Sequence, residues 1–188
     1  ENQIVEFIEK CLGSKINEDF TEFYNDIKSA MAENKFEETK NTLLEFISKN
    51  SDEIKGIFFY LECLIELKQF VEVESFINSL EKDVQEKDEI KQILKKMEIV
   101  KNNSSGPDVS ELLSKLENEP ANIDLVLELS DKYFSIKEYE HGMNLLLENY
   151  PKNKEKVKNK MIEFFEVLGH TDLITIQYRK KLSKIMFS

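Results

Sequence analysis

Glycine and proline are scarce, at 5 and 3 of 188 residues, which leaves little material for the tight turns of a β-rich fold. Cysteine is scarcer. Cys11 and Cys63 lie far apart, in neither a CxxC nor a zinc-ligand spacing, so this is not a disulfide scaffold, and reduced thiols in a cytoplasmic protein are the expectation. No apolar run approaches the roughly 20 residues that span a bilayer. Glu1-Asn2-Gln3 has no initiator Met and no signal layout, which points to a segment of a longer protein. Positive charge is in short supply as well: 26 Lys and Arg against 37 Asp and Glu give a net charge of −11. General nucleic-acid binding is thereby disfavoured, because phosphate contacts need clustered Lys and Arg. The sequence also has no Gly-rich phosphate loop, nucleophile elbow, HExxH or kinase signature. His141 and His170 fall at helix boundaries with no ligand-spaced partners. No catalytic residue, cofactor or metal is expected.

What fills the chain is helix-forming material, 40% hydrophobic and 34% charged. Its organising feature is a turn, Asn34-Lys35-Phe36-Glu37-Glu38-Thr39. This returns as Lys68-Gln69-Phe70-Val71-Glu72-Val73, 34 positions on (70 − 36), and as Lys137-Glu138-Tyr139-Glu140-His141-Gly142, 69 further (139 − 70). A copy near position 104 is replaced by the break Asn102-Asn103-Ser104-Ser105-Gly106-Pro107. A 34-residue period of helix–turn–helix units is the signature of tetratricopeptide (TPR) repeats. The expectation is an all-α, right-handed α-solenoid of about four degenerate TPR-like helix pairs, with an N-terminal helix and C-terminal capping helices. Helical pairs of a related solenoid are the alternative.

Gln3–Leu12 reads as an amphipathic helix stopped by Gly13, either a cap or the end of a preceding domain over residues 1–15. Residues 16–107 hold repeats one and two and the first helix of repeat three; residues 108–188 hold the rest. Repeat one pairs a helix from about Asp19 to Glu33 with Phe36–Lys49. Ser51-Asp52-Glu53 reads as an N-cap and acidic first turn for repeat two, Asp52–Leu67 and Phe70 to about Lys82. The first of these helices is apolar nearly all round, as suits burial between neighbours, with Cys63 packed inside. In repeat three, a helix from about Lys87 to Lys101 carries Ile90, Ile93, Leu94, Met97 and Val100. Asp108 and Glu111, spaced as a capping box, open its partner helix, which ends at Pro120. Repeat four spans about Asn122–Ile136 and Glu138–Tyr150. Gly142 takes the position of closest helix approach, where repeats one and two hold Thr39 and Val73 and should pack less tightly. A helix from about Asn153 to Leu168, stopped at Gly169, and a last helix, Asp172–Phe187 capped by Thr171 or Asp172, complete the chain.

Charge is polarised. From Pro151 onward nine Lys/Arg face four Asp/Glu, +5, leaving −16 for residues 1–150; this means either differently charged faces or solvated helix surfaces. The inner-surface positions hold Tyr24 and Lys28, Phe58 and Glu62, and Leu127 and Asp131. That makes an acidic, partly aromatic groove, suited to basic or apolar segments or filled by the chain itself. The last helix has more apolar residues than docking on one neighbour needs. Leu173, Ile176, Tyr178, Arg179, Lys180, Lys181, Lys184, Met186 and Phe187 are therefore the candidate partner-binding residues.

Three stretches together resemble one family. Ile4-Val5-Glu6-Phe7-Ile8-Glu9 is similar to the last helix of a thioredoxin domain where it meets a TPR array. Asp108–Asn153 resembles the late repeat, with Leu112, Leu113, Leu116, Pro120, Leu125, Tyr139 and Leu145-Leu146-Leu147 in matching places. Phe164-Phe165-Glu166-Val167-Leu168-Gly169, Asp172-Leu173 and Tyr178-Arg179-Lys180-Lys181-Leu182 resemble its ending. The chain thus resembles the C-terminal part of the bacterial thioredoxin-fused TPR co-chaperones, the YbbN/CnoX type, without their thioredoxin domain. The resemblance implies a non-enzymatic module that holds unfolded or oxidant-damaged proteins and passes them to a chaperonin through Asp172–Ser188. The alternative is a structural adaptor that positions an upstream thioredoxin domain. Any thiol–disulfide activity would belong to that upstream domain, since Cys11 and Cys63 match no redox motif.

Overall fold

A computed structural model describes residues 20–187; the expected N-terminal helix and Cys11 lie outside the described residues. Within them the chain is all helix: α1 (Thr21–Ala32), α2 (Phe36–Lys49), α3 (Ile54–Glu66), α4 (Phe70–Ser79), the single turn α5 (Lys82–Gln85), α6 (Asp88–Asn102), α7 (Val109–Asn118), α8 (Ile123–Ser135), α9 (Tyr139–Asn149), α10 (Lys154–Leu168) and α11 (Leu173–Met186). The all-α, TPR-like solenoid expected from the period is the architecture found.

The recurring turn has one physical cause. Asn34, Lys68 and Lys137 adopt φ of 59°, 58° and 66°. Each is the left-handed residue of a Schellman motif: Lys35 N–H donates to Ala30 O, Gln69 to Leu64 O and Glu138 to Tyr133 O, at 2.9–3.0 Å. These bonds satisfy orphan carbonyls at the helix ends and send the next helix back along the last. The 34-residue period is therefore a period of backbone conformation as much as of side chains. At the missing copy, Asn103 has φ −99° and the chain instead runs on through Gly106 at φ 120°.

That difference breaks repeat three. The sequence pairs α6 with α7, but the two share almost no contact, and α7 packs on α8 instead. The loop after Asn102 is too long and open to fold α7 back onto α6. The intact pairs are α1/α2, α3/α4, α8/α9 and α10/α11, the last made by helices expected only as caps.

Gly142 performs as its position suggests. A β-carbon there would lie 3.1 Å from the Ser130 carbonyl oxygen, and α8/α9 is the most extensive helix pair among the described residues, with α2/α3 close behind. Units with Thr39 and Val73 at that position pack less closely. A second close approach was not legible in the period: α3 crosses α2 at Gly56, where a β-carbon would sit 3.0 Å from the Phe46 ring. Two capping expectations are revised. Ser51, Asp52 and Glu53 give no side-chain cap, and α3 begins on Ile54 with no acidic first turn. Asp108 does cap α7, its Oδ1 accepting from Glu111 N–H at 2.9 Å, but the Glu111 carboxylate turns to Lys115 at 2.8 Å.

The core lies in two clusters. One runs from Tyr24 to Met97 and fills α1–α4 against α6; the other runs from Ile99 to Leu182 and fills α8–α11. Cys63 is fully buried in the first, and burial, helped by Glu62 and Glu66, pushes its thiol up to about 12.

Candidate functional site

The inner surface of the solenoid is the usual place for a TPR partner, and here the chain occupies it. Lys96, 34 positions after Glu62, reaches across from α6 to Glu62 Oε1 at 2.6 Å and to Glu66 Oε1 at 3.9 Å. Lys137, from the α8–α9 turn, takes Glu66 Oε2 at 2.8 Å and lies 5.1 Å from the centre of the Phe36 ring. Burial alone would lower the Lys96 ammonium, but Glu62, Tyr139 and Glu66 outweigh it and hold the group above its ordinary value. The space left among Glu66, Lys96, Phe134, Lys137 and Tyr139 is about 20 Å³, room for little more than one water.

Further along, Lys160 of α10 pairs with Asp131 at 3.1 Å and with Glu163 at 2.9 Å. The two partners do not shift as mirror images. Burial raises the Asp131 carboxyl despite Lys160, since Glu163 and Glu128 face it too. Burial lowers Lys160, but two carboxylates bring it back above its ordinary value. Tyr24 is buried in the core rather than displayed on the groove, and Phe58 and Leu127 are half-buried. The acidic inner positions are thus neutralised from within. Their partners Lys96 and Lys160 escaped the sequence reading, although the 34-residue spacing from Glu62 marks the first.

A larger cleft of about 410 Å³ opens between the start of α6 and the α10–α11 turn. Its charges largely answer one another, Lys91 with Asp88 at 3.6 Å and Lys95 with Glu166, and it has no apolar wall of the kind that holds small molecules. Among the described residues no group of three or more His, Cys, Asp or Glu is placed to hold a metal.

Helix α11 is the other candidate, and its two faces differ. Asp172, rather than Thr171, caps it, with Oδ1 accepting from Ile174 N–H at 2.8 Å and Thr175 N–H at 3.3 Å. Inward, Thr175, Tyr178 and Leu182 are buried against α9 and α10. Tyr178 is a correction to the candidate set: its ring is wholly enclosed and its hydroxyl donates to Asn144 Oδ1 at 2.8 Å, so it holds the helix down and is closed to a partner. Arg179 donates to His170 Nδ1 at 2.8 Å and lies over the Phe165 ring at 5.4 Å, while Lys181 lies 4.1 Å from the centre of the Tyr178 ring.

Directly opposite Tyr178 and Leu182, the helical period places Leu173, Ile176, Lys180, Lys184 and Phe187 on one outward stripe. Leu173 is 81% exposed, Ile176 41% and Phe187 85%. Met186, four residues after Leu182, falls toward the anchored face instead of this stripe and is 38% exposed at the open end of the helix. No acidic side chain occurs from Leu173 to Phe187. The structure therefore brings together an apolar stripe with a basic border, held on a helix whose other face is anchored.

Comparison with known proteins agrees with this architecture. Residues 102–187 match the family described as Tetratricopeptide repeat, from the end of α6 through α11. A crystal structure of a domain of a Vibrio parahaemolyticus protein of unknown function is similar over 86% of this chain and 96% of that one, at 20% identity and a TM-score of 0.40, too low to argue from. No curated protein matches. Helical-repeat folds of this type are typically non-catalytic and mediate protein–protein contact. No helix among the described residues is long and apolar enough to cross a membrane.

Proposed function

We propose that the chain is the protein-binding module of a thioredoxin-fused co-chaperone, which holds unfolded or oxidant-damaged clients and passes them to a chaperonin in the bacterial cytoplasm. The observation that carries this reading is the outward stripe of α11. Large apolar side chains cost free energy when left in water, about 1.5–3 kcal/mol for each Leu, Ile or Phe relative to burial. Leu173, Ile176 and Phe187 expose theirs beside Lys180 while Tyr178 and Leu182 already secure the helix. A stripe with anchors spaced along one face is the form in which a helix enters an apolar groove on a partner.

The anchored inner face rules out truncation as a test, because removing residues 172–188 would uncover the core of α9 and α10. Replacing Leu173, Ile176 and Phe187 together with Ser leaves that core intact. We expect this variant to keep its melting temperature and to lose binding to purified chaperonin in a sedimentation or biolayer assay. Undiminished binding by a folded triple variant would remove α11 as the docking element.

The second reading, a structural adaptor for an upstream thioredoxin domain, draws on the inner face: Thr175, Tyr178 and Leu182 close the end of the solenoid as a terminal cap must. Under it the triple variant has no binding phenotype, and Tyr178→Ala alone lowers stability.

A further inference from the structure

The two faces of α6 are unlike. Ile90, Ile93 and Met97, on one side, are buried in the N-terminal cluster with Val100 packed against it. On the far side the helical period sets Gln92, Lys95 and Ile99, with Lys96 and Asn103 on the flank, and of these Ile99 alone joins the C-terminal cluster. What crosses from α1–α6 to α7–α11 is mostly polar. Gln92 Nε2 donates to Val167 O at 2.7 Å, and Lys132 Nζ donates to Asn103 O at 2.9 Å. Lys95 pairs with Glu166, and Lys137 pairs with Glu66. The covalent link over residues 103–108 is no strap, since a β-carbon on Gly106 would meet nothing within 4 Å.

We propose that the molecule is two bodies, α1–α6 and α7–α11, docked across a polar seam that opens as ionic strength rises. Each body keeps most of its own apolar core when the seam parts, so opening exposes Ile99 with the part of the C-terminal cluster it packs on, and Val100 opposite Phe134 and Tyr139, instead of a whole core. Lys95–Glu166 and Lys137–Glu66 have side chains between about a fifth and a half exposed, so salt reaches and screens them. Interfaces of this polar kind between bodies of one chain are ordinarily mobile. The closed inner surface is then one state of two: parting the seam withdraws Lys137 from Glu66 and Phe36 and uncovers an acidic, aromatic surface between the bodies.

Small-angle scattering on the whole chain tests this. The radius of gyration should rise between about 20 mM and about 500 mM salt, with far-UV circular dichroism unchanged. The Lys95→Glu/Lys137→Glu variant should show the expanded radius already at low salt, and adding Glu166→Lys should recover at least half of the difference. A wild-type radius indifferent to salt overturns the proposal without reference to any variant. So does a folded double variant as compact as wild type, or an expanded one that Glu166→Lys leaves unchanged.

Discussion

Lys68 holds φ 58° in the turn between α3 and α4, a conformation that costs a residue with a β-carbon about 1–2 kcal/mol, while glycine adopts it freely. Lys68→Gly should therefore stabilise the protein by about 0.5–1 kcal/mol after the entropy glycine adds to the unfolded chain. Urea unfolding midpoints check it. Gly142→Ala should act the other way. Helix propensity gains about 1 kcal/mol, but the new methyl meets the Ser130 carbonyl at 3.1 Å, and separating two packed backbones costs about 1–3 kcal/mol. Gly56→Ala meets the Phe46 ring at 3.0 Å, a side chain that can turn slightly where a backbone carbonyl cannot, although Phe20, Phe23 and Tyr24 pack on it, so it should cost less than Gly142→Ala in thermal melts. Cys63, with its thiol raised to about 12 by burial, should resist iodoacetamide at pH 8 until the protein unfolds. Gly142 and Cys63 were legible in sequence because period and apolar context are local. Gly56 was not, because it answers Phe46 across a repeat boundary.

The N-caps of α7 and α11 are local as well, and Asp172→Ala should cost about 1 kcal/mol as Ile174 and Thr175 lose their acceptor. Tyr178→Phe, which removes the hydroxyl bonded to Asn144, should cost a similar amount, about 0.5–1.5 kcal/mol. The Asp108 cap carries a pH signature. Hydrogen bonds from Ser110 and Glu111 hold its carboxyl below the usual value. Its contribution is therefore present above the unfolded value near 3.8 and is lost as pH falls through the lower folded value. Amide exchange at Glu111 should accelerate there. Helix limits could be read to within a few residues from Pro120, Gly169 and the recurring aromatic. Which helix pairs with which could not. The failed union of α6 with α7 turns on one missing left-handed residue near position 103, and nothing in apolar periodicity reports backbone handedness. Tyr178 was misread for a related reason: periodicity finds both stripes of α11 but does not say which one faces inward.

Charge polarity, −16 over residues 1–150 against +5 beyond, suggested two electrostatic faces. In the folded chain part of it is answered internally, Lys156 pairing with Asp124 and Lys160 with Asp131, while Lys96 answers Glu62 within the acidic part itself. Charge reversal at one inner position should consequently lower stability: Lys96→Glu places a third carboxylate beside Glu62 and Glu66 and should cost about 3–5 kcal/mol, read from the melting temperature. An inner surface filled in this way could not be foreseen from single positions, because Lys96 and Lys160 acquire meaning only once the repeats are stacked.

The division of the core has a consequence for biosynthesis. Every buried member of the first cluster lies between Tyr24 and Met97, and every member of the second between Ile99 and Leu182. A nascent chain can therefore complete one hydrophobic interior before the residues of the other have left the ribosome, and neither has to wait for a distant strand or terminus. Folding can proceed vectorially, one interior at a time.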